Sequence, residues 1–211
     1  MPMRSVILIC LFLVAMIAQG EARADEKFSD GARKFIAELA GEAIAKLTVK
    51  DLPQDEREKR FRALVHKHID FGTIARWVIG RQYWSRADEK QQKAYLSLYE
   101  DMMVATYANR FGDYAGETLV IKSTKTIDEK EALVMSSLKR PQADKPVNID
   151  WRVRERNSSF TIVDIMIEGL SMAQTQRAEY TSFLRNHDGD VDALLKDMKV
   201  RLDEIRKPKH S

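Results

Sequence analysis

The chain has 211 residues, 44% of them hydrophobic, with 35 Lys+Arg against 32 Asp+Glu and a single cysteine. That length and apolar content exclude a disordered chain and suffice for one full hydrophobic core. A formal net charge of +3 is too balanced to indicate a nucleic-acid binder.

The first 24 residues read as a secretory signal peptide. Arg4 gives a short basic start, Val6 to Ala18 is an unbroken apolar run, and Ala22-Arg23-Ala24 fits a small-x-small cleavage site. The run is shorter than a membrane-spanning helix requires. Cleavage after Ala24 leaves residues 25–211 as a single domain. Cys10 leaves with the leader, so the mature chain is exported without disulfides and rests on its core alone.

The mature chain reads as helices, then strands, then helices. Phe28, Phe35, Ile36, Leu39, Ala43, Ile44 and Leu47 repeat near 3.6 and predict a helix over 28–47 with one buried face. Pro53 suits the first turn of a second helix, which Phe61, Leu64, Val65 and His68 turn inward. Asp70 is placed to cap a short third helix, closed by Gly80. Ser85-Arg86-Ala87-Asp88 resembles a capping box before a long helix reaching about Phe111. That helix carries Tyr95, Leu98, Met102 and Thr106 beside Tyr99, Met103 and Tyr107, a broad apolar face.

After Gly112 and Gly116 the period changes to two. Strands are predicted over 118–125, 131–139, 146–155 and 160–167. Leu119 and Ile121 share one side of the first, opposite Val120, Lys122 and Thr124. Val147, Ile149, Trp151 and Val153 point inward from the third. Residues 168–171 break the sheet. A helix then runs to about Asn186, and Asp190 caps a last helix with Val191, Leu194, Leu195, Met198, Leu202 and Ile205 on one stripe. Helices grouped around an antiparallel meander predict an α+β fold.

No enzyme motif is present. There is no phosphate-binding glycine loop and no nucleophile elbow, and the mature chain has no thiol. His66 and His68 stand two apart on a helix, which puts them on different sides and not in a metal site. Asp164, between Val163 and Ile165, admits two readings: a general base in an apolar pocket, or a structural acid with a local partner, the second being favoured. No catalytic residue, metal ligand or cofactor is assigned, and the chain is expected not to be an enzyme. Met and Tyr mixed on one broad face also suit an adaptable apolar cavity.

Three segments carry a family resemblance: Phe71 to Trp84 (F-x-x-I-A-x-x-V-I-G-x-x-Y-W); Ala105-Thr106-Tyr107-Ala108-Asn109-Arg110-Phe111 with Tyr114 to Glu117; and Phe160 to Met172 followed by Arg177-Ala178-Glu179-Tyr180. In order, over nearly the whole mature chain, they resemble the MlaC family of periplasmic phospholipid shuttles, the toluene-tolerance auxiliary proteins. Two positions depart from the family pattern: Phe160 where Trp is common and Trp151 where Tyr is common.

The resemblance implies helices packed on a bent antiparallel sheet, an NTF2-like cone with a deep apolar cavity for phospholipid tails. It implies phospholipid as cargo, a periplasmic location and a role in outer-membrane lipid asymmetry. The implied partners are an inner-membrane ABC transporter with its lipid-channel protein and an outer-membrane lipoprotein–porin complex. A branch associated with hopanoid lipids carries similar motifs, and a non-catalytic adaptor without a cavity is the other reading. Facing and resemblance together nominate Val78, Ile79, Tyr95, Leu98, Met102, Met103, Tyr107, Leu119, Ile121, Val134, Trp151, Val153, Ile162 and Ile165 as the cavity lining. On that basis Leu98→Asp is expected to lower lipid occupancy.

Overall fold

A computed structural model describes residues 3–207, with side chains described from residue 25 onward. The leader and its cleavage site at 1–24 fall outside the described side chains. The elements are α1 (Met3–Leu47), α2 (Gln54–His68), α3 (Phe71–Ile79), α4 (Arg81–Trp84), α5 (Glu89–Gly112), β1 (Thr118–Asp128), β2 (Glu131–Lys139), β3 (Val147–Arg156), β4 (Ser159–Ile167), β5 (Leu170–Ser171), α6 (Met172–Asn186) and α7 (Val191–Arg206). The strands form one antiparallel meander in the order β1-β2-β3-β4-β5, with helices on it: an α+β architecture.

Local chemistry sets the boundaries. Asp88, and not the tetrad ending at it, is the N-cap of α5: its carboxylate accepts from Gln91 N at 2.8 Å, and Gln91 Oε1 accepts from Asp88 N at 3.0 Å. The capping box therefore sits three residues later than the sequence suggests. Asp70 precedes α3 but makes no side-chain cap. Its carboxylate is taken by Arg156 Nη1 at 2.9 Å. Gly80 ends α3 with φ 87°, and Asp190 caps α7 through Asp192 N and Ala193 N.

The segment 168–171 does not simply end the sheet. Glu168 and Gly169 adopt φ 50° and φ 78°, a two-residue turn that folds Leu170-Ser171 back onto β4 as β5. In β1 the register slips between Ile121 and Ser123. That bulge moves Thr124 onto the side of Leu119 and Ile121, opposite Val134, and not onto the side of Val120 as strict alternation predicts.

Two apolar clusters result. One lies among helices: Ala75, Val78, Ile79, Tyr83, Tyr95, Tyr99, Met102, Tyr180, Leu184, Leu194, Met198 and Leu202 are buried in it. The other lies between α1 and the sheet: Ala32 and Ile36 meet Ala132, Val134, Val153 and Ile162, with Phe28, Phe35, Leu39, Leu119, Ile121, Trp151, Phe160 and Ile165 packed around them. Among the described residues no helix is long and apolar enough to cross a membrane.

Candidate functional site

The nominated lining divides between these clusters. Val78, Ile79, Tyr95 and Met102 are buried in the helical cluster, with Leu98 and Met103 packed against it. Val134, Val153 and Ile162 are buried in the sheet-side cluster, with Leu119, Ile121, Trp151 and Ile165 partly exposed beside them. Tyr107 is half-buried, its hydroxyl 3.7 Å from Met172 Sδ and its ring 5.4 Å below Arg110.

Leu119 and Ile121 reach a cavity of about 270 Å³ between α1 and the start of β1. Ala37, Ala40, Gly41 and Ile44 form its α1 wall, and Tyr114, Glu117 and Thr118 close the end. Positions 37, 40, 41 and 44 fall on one helical face. Three of them are Ala or Gly, so side-chain bulk is missing where α1 faces the sheet edge. A Cβ built on Gly41 meets nothing within 4 Å. The sequence reading missed this wall because it looked for large apolar residues; a stripe of small residues on an otherwise apolar helix face was the available signal.

Leu98 lies elsewhere. It lines an open groove of about 540 Å³ between α5 and α7, with Ala94, Ser97, Leu195, Lys196 and Lys199. The structure brings it together with none of the sheet-side residues.

The apolar sheet face holds few polar atoms. Trp151 Nε1 donates to Ser136 Oγ at 3.0 Å, and Ser136 Oγ donates to Ile149 O at 2.6 Å. This chain satisfies an indole that would otherwise carry an unpaired donor in an apolar layer. Thr124 Oγ1 is buried on the same side and makes no hydrogen bond.

The helical cluster is tighter. Tyr95 Oη donates to Ala75 O at 2.8 Å, Tyr99 Oη is hydrogen-bonded to Gln176 Oε1, and Tyr180 Oη contacts Met102 Sδ at 3.9 Å. Burial pushes all three hydroxyls above the ordinary phenol range, so they stay protonated donors. Asp164 accepts from Ser171 Oγ at 2.6 Å, Ile165 N at 2.8 Å and Ala173 N at 3.2 Å. It thus ties β4 to the start of α6, the structural reading of that acid. His66 faces Glu100 at 3.0 Å and His68 faces Glu42 at 2.9 Å, on separate partners. Among the described residues no three His, Cys, Asp or Glu gather in a metal-binding group.

The end of α1 that carries the small-residue wall is fastened to α2. Glu42 accepts from Lys46 at 2.8 Å, His68 at 2.9 Å and Lys67 at 3.1 Å, which hold its carboxyl down at about 2. Arg57 Nε donates to Leu47 O and Arg60 Nη1 to Lys46 O, both at 3.1 Å, satisfying carbonyls at the C-terminus of α1.

Residues 37–200 match the profile of the family described as MlaC protein. The chain belongs to the MlaC family. Among solved structures, a phospholipid-binding protein from Ralstonia solanacearum, in complex with a phospholipid, superposes with a TM-score of 0.70 at 21% identity. The match covers 82% of this chain and 98% of that one, and it confirms the fold expected from the MlaC resemblance.

Proposed function

We propose that this MlaC-family chain is a periplasmic phospholipid carrier. It moves diacyl lipids between an outer-membrane lipoprotein–porin complex and an inner-membrane ABC transporter, and so maintains outer-membrane lipid asymmetry. Family membership and the phospholipid bound by the Ralstonia relative support the cargo class. The observation that carries the reading here is the apolar sheet face that α1 covers only in part, leaving a cavity against a wall of Ala and Gly.

The energetics fit a carrier. Exposing a buried CH₂ costs about 0.8 kcal/mol, so two acyl chains of ~15 CH₂ each would cost roughly 24 kcal/mol in water. A protein must enclose the tails for the whole crossing, while the headgroup stays hydrated. Release meets the same barrier, so unloading occurs on contact with a membrane complex.

The cavity is smaller than its cargo. An engineered cavity of ~150 Å³ holds one benzene ring. About 270 Å³ therefore takes part of one acyl chain. Loading requires α1 to move off the sheet and let tails replace its contacts on Leu119, Ile121, Trp151 and Ile165. The helical cluster stays fixed beneath.

The test is native mass spectrometry of the mature protein from its own periplasm, with lipid extraction of the same sample. A stoichiometric diacyl lipid is expected. A hopanoid would replace the cargo class. Protein at its bare mass that also fails to take lipid from vesicles would replace the carrier by an adaptor.

A further inference from the structure

Between Phe71 and Ala87 the only charged residues are Arg76, Arg81 and Arg86. No Asp or Glu falls in those 17 positions, although acids nearly balance bases over the chain, and two of the three tryptophans lie there. The three arginines are exposed. Trp77, on the outer side of α3, is 43% exposed. Arg177 of α6 stacks on it, 4.6 Å from the ring centroid, and is hydrogen-bonded to the Trp77 carbonyl. Arg76 sits 5.5 Å from the centroid of half-buried Trp84.

Several other arginines have acids: Arg62 with Glu100 and Asp101, Arg152 and Arg154 with Glu131, Arg156 with Asp70, Arg201 with Glu179 and Asp197. Arg76, Arg81, Arg86 and Arg177 are in no salt bridge among the described residues. The neighbouring acids are committed. Asp88 caps α5, Asp70 holds Arg156 and Glu179 holds Arg201. The stretch from α3 to Ala87 therefore carries cationic side chains without acid partners, with an exposed indole among them.

We propose that this face, Arg76, Trp77, Arg81, Trp84, Arg86 and Arg177, is a landing surface for an anionic phospholipid bilayer. Guanidinium forks match phosphate oxygens, and an indole is most stable at the headgroup level, with its ring in the apolar layer and its N–H in the wet one. The surface goes beyond the carrier reading and does not depend on it, because none of its residues lines the α1–β1 cavity.

The experiment is flotation of the mature protein with vesicles of phosphatidylglycerol and phosphatidylethanolamine, against vesicles of phosphatidylcholine. The parent is expected to float with the anionic vesicles only, and added salt to release it. The triple variant Arg76→Gln/Arg81→Gln/Arg86→Gln is expected to lose roughly a hundredfold in partitioning, since each basic residue near an anionic surface contributes about a factor of five. Trp77→Ala is expected to lose several-fold, and the parent's tryptophan emission to shift blue on binding. Lipid occupancy of the triple variant, read by native mass spectrometry, is expected to equal the parent's, which separates this surface from cargo binding. Should the triple variant fail to fold, the parent's salt titration and Trp77→Ala decide. Flotation indifferent to lipid charge, or a folded triple variant that binds like the parent, overturns the proposal. So does binding of an acidic protein, lost in the triple variant, with no vesicle binding by the parent.

Discussion

The two apolar clusters differ in where space is left: the helical one is sealed at its centre and opens only at the groove past Leu98 and Leu195, whereas the sheet-side one keeps a cavity against α1. The helical one stacks Tyr95 on Tyr99 at 5.8 Å between centroids, with Tyr180 edge-on to both. The hydroxyls of these three rings are hydrogen-bonded or set against sulfur, and the rings have almost no exposure. The sheet-side cluster has a buried floor of Ala132, Val134, Val153 and Ile162, but its flanks are partly exposed and a cavity remains against α1. A filled core resists displacement because each side chain has lost its freedom to contacts that only one arrangement supplies. An underfilled apolar face can exchange one set of contacts for another at little cost. On the proposed carrier reading, the first region supplies stability and the second takes the cargo.

The most severe way to break the comparison is Tyr95→Ala. It removes a fully buried ring and the hydrogen bond to Ala75 O. A loss of about 3–5 kcal/mol is expected in chemical denaturation, with lipid binding lost only through unfolding. The complementary change on the other side is Ala40→Phe, which puts a ring into the cavity wall. It is expected to change stability by less than about 1 kcal/mol, because empty space receives the ring. Copurifying lipid is expected to fall several-fold in the folded variant.

A smaller effect concerns the fastening of α1 to α2. The folded Glu42 carboxyl sits at about 2, against 4.5 for the ordinary group. A depressed carboxylate contributes stability above its unfolded value and loses it as pH falls. The parent is therefore expected to exceed Glu42→Gln in stability above pH 4.5, and the gap to close as pH falls from 4.5 towards 2. The carboxylate is partly exposed and its two lysine partners are largely in solvent, although His68 is mostly buried, so the gap is on the order of 1 kcal/mol. Thermal melts of both proteins across that range check it. The smallest expected effect is that of Leu98→Asp on cargo. Leu98 lies in the α5–α7 groove, so lipid occupancy is expected to stay at the parent level. A clear loss of lipid in the folded variant would move the cargo site to that groove.

Much of the fold could be read from periodicity. The helix ending at Leu47, the long α5, the meander and the inward row Trp151 and Val153 follow from spacings of 3.6 and 2. What escaped that reading was decided by backbone geometry or long-range pairing. The bulge after Ile121 reversed the side on which Thr124 lies, and Asp70 found Arg156, 86 positions away, in place of its own helix. The site was legible only in part. Apolar character does not tell a filled core from a lining: Tyr95 and Ile121 both sit on apolar faces, yet one is sealed among helices and the other borders a cavity. The distinguishing wall of Ala37, Ala40 and Gly41 is marked by what its side chains lack.

The central claim is that tails replace α1 on the apolar sheet face. The most direct test is photocrosslinking with a phospholipid carrying a mid-chain diazirine, followed by peptide mapping of the labelled mature protein. Labels on the α1 segment 37–44 and on β1 at Leu119 and Ile121 are the predicted result. Labels confined to Leu98, Leu195 and their neighbours between α5 and α7 would contradict it.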